Sequence, residues 1–117
     1  MNIRTVTFIP LAALALAGAV HAHHGWSEYD SGKALKLGGV IKASGYEHPH
    51  GHVQLETPGK TWLVVLAPPS RMGNRGLTED MLKVGSTVSV EGYQHMTDKT
   101  EMRAERISVN GKTIELR

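Results

Sequence analysis

The feature that most limits what this chain can fold into is its beginning. Residues 1–5 are polar with one positive charge at Arg4, residues 6–20 are apolar, and Val20-His21-Ala22 puts small side chains at the −3 and −1 positions of a signal-peptidase site. The apolar run falls short of the roughly 20 residues a membrane span requires. Residues 1–22 therefore read as a cleaved signal peptide, and Ala17-Gly18-Ala19 fits as a second cleavage point. The reading predicts a periplasmic or secreted protein with no membrane span after cleavage. Residues 23–117 are left to fold, one domain near the lower limit of a self-sufficient core. Cysteine is absent, so neither disulfides nor thiolate ligands reinforce that core.

Residues 23–35 are polar and read as an extended N-terminal arm. Beyond them the pattern is one of short strands divided by turn residues. Residues 37–46 hold Val40 and Ile41 among glycines, which predicts a bent strand. His52-Val53-Gln54-Leu55-Glu56 alternates, with Val53 and Leu55 turned to the core. Thr57-Pro58-Gly59-Lys60 is a turn, and residues 61–67 read as a strand buried on both sides. Pro68-Pro69 ends it, with Met72 in a loop. Thr78 then reads as an N-cap, with Glu79 and Asp80 in a first helical turn where negative charge suits the helix dipole. Val88 and Val90 alternate with polar residues in the next strand. Met102 and Ala104 fall on one phase, Ile107 and Val109 on the other, which predicts a bulge near Arg106. Asn110-Gly111 predicts a type I′ hairpin pairing Ile107 with Ile114. The fold class expected is all-β: a small OB-like five-stranded barrel over residues 36–117, with one short helix between strands 3 and 4. A β-sandwich is the alternative.

Seven histidines stand out. His23 and His24 follow the expected cleavage site, His48, His50 and His52 share one pentapeptide, and His95 stands alone. In an extended segment, positions 48, 50 and 52 face one side about 7 Å apart, although Pro49 and Gly51 favour a turn. Without cysteine, imidazole is the ligand suited to copper, zinc or nickel. Cleavage after Ala22 would give His23 a free amine beside its own ring, a chelate that favours Cu(II); trimming to Ala22 would make His24 the third residue, again a copper arrangement. The metal ligands expected are His23, His24, His48 and His50, with copper ahead of zinc and nickel, and with His23 or His24 sharing a site with His50. Met96 and Met102 are a weaker thioether signal, Met102 reading as core. Glu47 beside His48 is the one base that could serve a metal-bound water, but no catalytic set is identifiable and no enzyme is expected. Trp26, Tyr29, Tyr46, Trp62 and Tyr93 are few, and the formal charge is only +2, so a nucleic-acid partner is not expected.

His23-His24-Gly25, Tyr29-Asp30, His48-Pro49-His50, Trp62, Leu82-Lys83-Val84-Gly85, Gly92-Tyr93, Met102-Arg103-Ala104 and Asn110-Gly111 occur in this order. In that order the chain resembles a family of short exported bacterial proteins of unknown function. Members of that family usually carry Asn-Pro-His, so His48 is a departure, and His23, His24 and His50 carry over. The resemblance implies export and a small β-barrel-like domain, and no activity. The expected architecture is also similar to that of periplasmic OB-fold metal chaperones, whose ligand motif is not reproduced. Together these readings predict an exported copper carrier or buffer. The alternative is a non-catalytic structural or interaction module of the cell envelope, with a partner protein there and no metal.

Overall fold

The computed structural model describes residues 25–117. Residues 1–22, where a signal peptide is expected, lie outside the described residues, as do His23 and His24. A 3-10 turn at Trp26–Glu28 leads into β1 (Tyr29–Gly45), followed by β2 (His52–Thr57), β3 (Lys60–Val65), α1 (Pro69–Asn74), a 3-10 turn at Glu79–Leu82, β4 (Thr87–His95), β5 (Glu101–Val109) and β6 (Lys112–Glu115). They form one six-stranded sheet in the order β3-β2-β1-β4-β5-β6, antiparallel between neighbours. A short parallel pairing also joins β3 to β5, with Leu63 opposite Glu101, Val64 opposite Met102 and Val65 opposite Arg103.

The expected five-stranded OB-like barrel with one short helix is corrected by these strands. The sixth strand is a full member of the sheet, because Asn110 (φ 53) and Gly111 (φ 77) turn the chain tightly enough for β6 to bond along β5. The connection from β3 to β4 holds an α-helix as well as a 3-10 turn. The helix begins with Pro69 in its first turn, where the missing N–H costs nothing and the fixed φ is already helical. Pro68-Pro69 therefore ends the strand and starts a helix at once. The polar segment 29–35 is also strand: β1 begins at Tyr29, with Tyr29 opposite His95 and Ala34 opposite Tyr93. Among the described residues no helix is long and apolar enough to cross a membrane.

Two local expectations hold. β4 and β5 slip register where Glu91 faces Arg106 and Gly92 faces Ala104, leaving Glu105 as the extra residue of a bulge. The bulge lets Met102, Ala104, Ile107 and Val109 all reach the core, and Ile107 does pair with Ile114. The hairpin gives a direct test. A β-branched residue at a left-handed position costs about 1–2 kcal/mol. Asn110→Val should lower stability by about that amount in urea unfolding, and Asn110→Gly should stay close to the parent.

The core lies between Ile41 of β1, Val53 and Leu55 of β2, Trp62 and Val64 of β3, and the inward residues of β4, β5 and β6, with Met72 and Leu82 closing it from the connection. Strand alternation sends the intervening residues the other way. On β3 these are Leu63 and Val65, which are half-buried, and on β5 they are Glu101 and Arg103. That second face positions the candidate site.

Candidate functional site

The parallel β3–β5 pairing puts Leu63 beside Glu101 and Val65 beside Arg103, and His52 pairs with Val65 from the other side. These side chains floor a cleft of about 370 Å³, walled by Tyr29 at the start of β1 and by Pro49 and His50 in the loop before β2. Arg103 is the only buried charged side chain among the described residues, 6% exposed. Its burial comes from the N-terminal segment. The Trp26 ring lies over the Arg103 guanidinium at 4.4 Å and has the Arg117 guanidinium at 4.5 Å, cation–π contacts that strengthen as water is excluded. Trp26 also meets Tyr93 edge-on at 6.3 Å.

Next to it, the Tyr29 hydroxyl donates to Glu101 Oε2 at 2.5 Å, and its ring meets His95 edge-on at 5.2 Å. His95 Nδ1 accepts from the backbone N–H groups of Thr97 and Asp98, at 3.2 and 3.0 Å. That leaves Nε2 to face Glu28 Oε1 at 3.5 Å. The residues from Trp26 to Tyr29 thus strap the face of β4 and β5 opposite the core.

Arg103 donates from Nη2 to His50 Nε2 at 3.3 Å. Since a guanidinium only donates, His50 accepts there and its remaining proton is on Nδ1. Burial pushes the Arg103 pKa below its ordinary value, and the charges of Arg71 and Arg117 act the same way, against Tyr29 and Glu28. Tyr29 is pushed well above the ordinary phenol value, first by burial and then by its bond to Glu101. For an acid kept neutral in this way, the stabilisation is complete below the unfolded value near 10 and is lost as pH rises past it. Absorbance titration at 295 nm should show one tyrosine ionising far above pH 10 in the parent and missing from Tyr29→Phe.

The histidine expectations fare differently from one another. His52 does turn away from the core with Gln54, and it lines the cleft with His50. The parity does not reach back to His48, because residues 46–51 are not strand, and His48 is exposed. Glu47 is also exposed and does not line the cleft. Among the described residues no three His, Asp or Glu side chains are grouped to hold a metal ion. The copper-carrier reading is corrected on this geometry: the His50 nitrogen facing Arg103 receives a hydrogen bond from a permanently charged guanidinium, whose charge opposes a metal cation. The shared site with His23 or His24 lies outside the described residues. Met72 and Met102 are fully buried, and Met96 is 62% exposed, so no thioether set forms among them.

The profile of a family of unknown function, DUF6152, matches residues 12–103. The chain belongs to this family. The match takes in every residue that lines the cleft, from Tyr29 to Arg103. No curated protein matches the chain. Among solved structures, the chain is similar to a ZRD-deleted mutant of TiaS in complex with agmatine, at 20% identity and a TM-score of 0.48, covering 72% of this chain and 24% of that one. It is similar to the same extent to TiaS in a complex with an isoleucine tRNA and ATP, at 20% identity and a TM-score of 0.48, covering 76% of this chain and 20% of that one. The chain therefore spans a quarter or less of either protein.

Reasoning from sequence missed Tyr29, Leu63, Val65, Glu101 and Arg103 as site residues. One signal was present: the phase of Met102 and Ala104 assigns Glu101 and Arg103 to the face away from the core. That this face is covered follows only from where Trp26 comes to rest.

Proposed function

We propose that this member of DUF6152 is an exported, non-catalytic recognition module of the cell envelope, working through the cleft between β2, β3 and β5. One observation carries the reading: a guanidinium withdrawn from solvent at Arg103 lines an otherwise largely apolar cleft. A buried charge costs several kcal/mol in desolvation and is a poor choice for stability alone, but it is well suited to orienting a ligand. The polar neighbours argue against turnover. The Glu101 carboxylate accepts from Tyr29 and the His50 ring accepts from Arg103, so each is already engaged, and the described residues lining the cleft include no serine, cysteine or lysine. Export is supported by the leader pattern of residues 1–22.

The test is an NMR screen of the mature protein with small acids, amines and neutral compounds. Amide shifts should concentrate at Tyr29, His50, His52, Leu63, Val65, Glu101 and Arg103, and the binders should be recovered chemically unchanged. Shifts scattered over the surface, or conversion of a bound compound, would refute the module reading.

A further inference from the structure

The cleft has a chemical polarity that narrows its ligand, and this inference rests on the recognition reading above. At one end, Arg103 sits between Trp26 and His50. The floor and near wall, Leu63, Val65 and Pro49, are apolar, and Glu101 is held at the far end by Tyr29. Because Glu101 and Arg103 are two residues apart on one strand face, their backbone positions lie about 7 Å apart. An anionic group is drawn to the Arg103 end and repelled from the Glu101 end, so it enters in one orientation.

We infer that the cleft takes a carboxylate carried on a short apolar group, with the carboxylate on Arg103 and the apolar group along Leu63, Val65 and Pro49. The His50 ring is the acceptor this carboxylate replaces. The His50–Arg103 contact, at 3.3 Å, is long for a hydrogen bond to a charged donor, and a neutral imidazole is a weaker acceptor than a carboxylate, which matches the guanidinium fork with two parallel bonds. Binding thus exchanges a weak acceptor for a strong one and leaves Arg103 where it is. A volume of about 370 Å³ is at the small end of ligand sites, which suits a short acid or the last residue of a chain and excludes a folded partner's surface. Two sources present this chemistry, a free acid and the C-terminus of a polypeptide ending in an apolar residue.

The experiment measures binding of hexanoate against hexanamide, and of the acetylated peptide Ala-Ala-Leu with a free C-terminal acid against its C-terminal amide, to the mature protein. Calorimetry is combined with Trp26 emission, using Trp26→Phe to assign the signal. Each acid that binds should bind at least about ten-fold more tightly than its amide, the difference expected for one charge-assisted contact, and it should change Trp26 emission. The better acid identifies the source. Arg103→Gln should abolish the acid preference. If that variant does not fold by circular dichroism, Val65→Glu decides the matter, since it sets a carboxylate of the protein's own beside Arg103 and should block the acid. Equal binding of acid and amide, or acid binding undiminished in the folded variant, overturns the carboxylate assignment. Cleft shifts given only by amines or neutral compounds overturn it too while leaving the recognition module standing; no cleft binding by any compound removes both.

Discussion

Among the glycines of the described residues, Gly92→Ala should be the most damaging substitution, lowering stability by about 3 kcal/mol or more and the melting temperature by about 12 °C or more. A Cβ at Gly92 would lie 1.9 Å from the Arg103 carbonyl oxygen and 2.8 Å from Ala104 Cα. These are backbone atoms of the paired strand, so no side-chain rotation relieves the contact. The clash falls at the bulge, where Gly92 faces Ala104 across the extra residue Glu105, and the strand that must move carries Arg103. The expected result is therefore double: a large loss in thermal unfolding and a disturbed cleft, read as altered amide shifts at His50 and Leu63. Gly38→Ala is the control on the same sheet. Its added carbon comes no closer than 4.0 Å to the Val88 carbonyl oxygen, and that variant should melt within a few degrees of the parent.

Met72→Ala should cost about 2–5 kcal/mol, the usual range for emptying a buried methionine site. Met72 is the one buried residue of α1 and is 0% exposed. Its Cε would lie 2.6 Å from a Cβ built on Gly51, so the thioether packs directly under the loop that carries His50. Gly51 is bonded from above as well, its N–H donating to the Ala67 carbonyl and its carbonyl accepting from the Leu66 N–H. Removing Met72 takes away the packing below this loop and keeps the hydrogen bonds above it. Unfolding in urea should show the energy loss, and hydrogen exchange at Gly51 and Leu66 should accelerate more than at Val90 on the far side of the core. Met72→Leu, which keeps most of the volume, should lose less than about 1.5 kcal/mol.

Histidine was the residue type that drew attention in the sequence, and arginine is the one the cleft is built on. The difference is physical. A histidine cluster along the chain says nothing of which ring nitrogens are committed, and His50 commits one to Arg103. An arginine flanked by Met102 and Ala104 reads as one more solvated charge on an alternating strand, which is what Arg106 is, in ion pairs with Glu91, Glu105 and Glu115. Exposed pairs of that kind are worth little. Arg103 departs from the pattern because Trp26, far away along the chain, covers it.

What the sequence determined by itself is everything that rests on neighbours. The alternation of Val53 with Leu55, the turn at Pro58-Gly59, the hairpin at Asn110-Gly111 and the bulge before Arg106 follow from side-chain phase and allowed backbone angles within a few residues. The tertiary structure alone decided the sixth strand's place in the sheet, the strand character of the polar segment from Tyr29, and the cleft. Each depends on partners distant in sequence: β4 for Tyr29, β5 for Leu63 and Val65, and the N-terminal turn for Arg103. A polar run such as Tyr29-Asp30-Ser31-Gly32 has no apolar period to announce a strand, and it is held in one by the β4 pairings on either side of it, Tyr29 with His95 and Ala34 with Tyr93. Arg103 likewise has no local mark of burial, because desolvation is set by what packs over a side chain and not by the residues on either side of it.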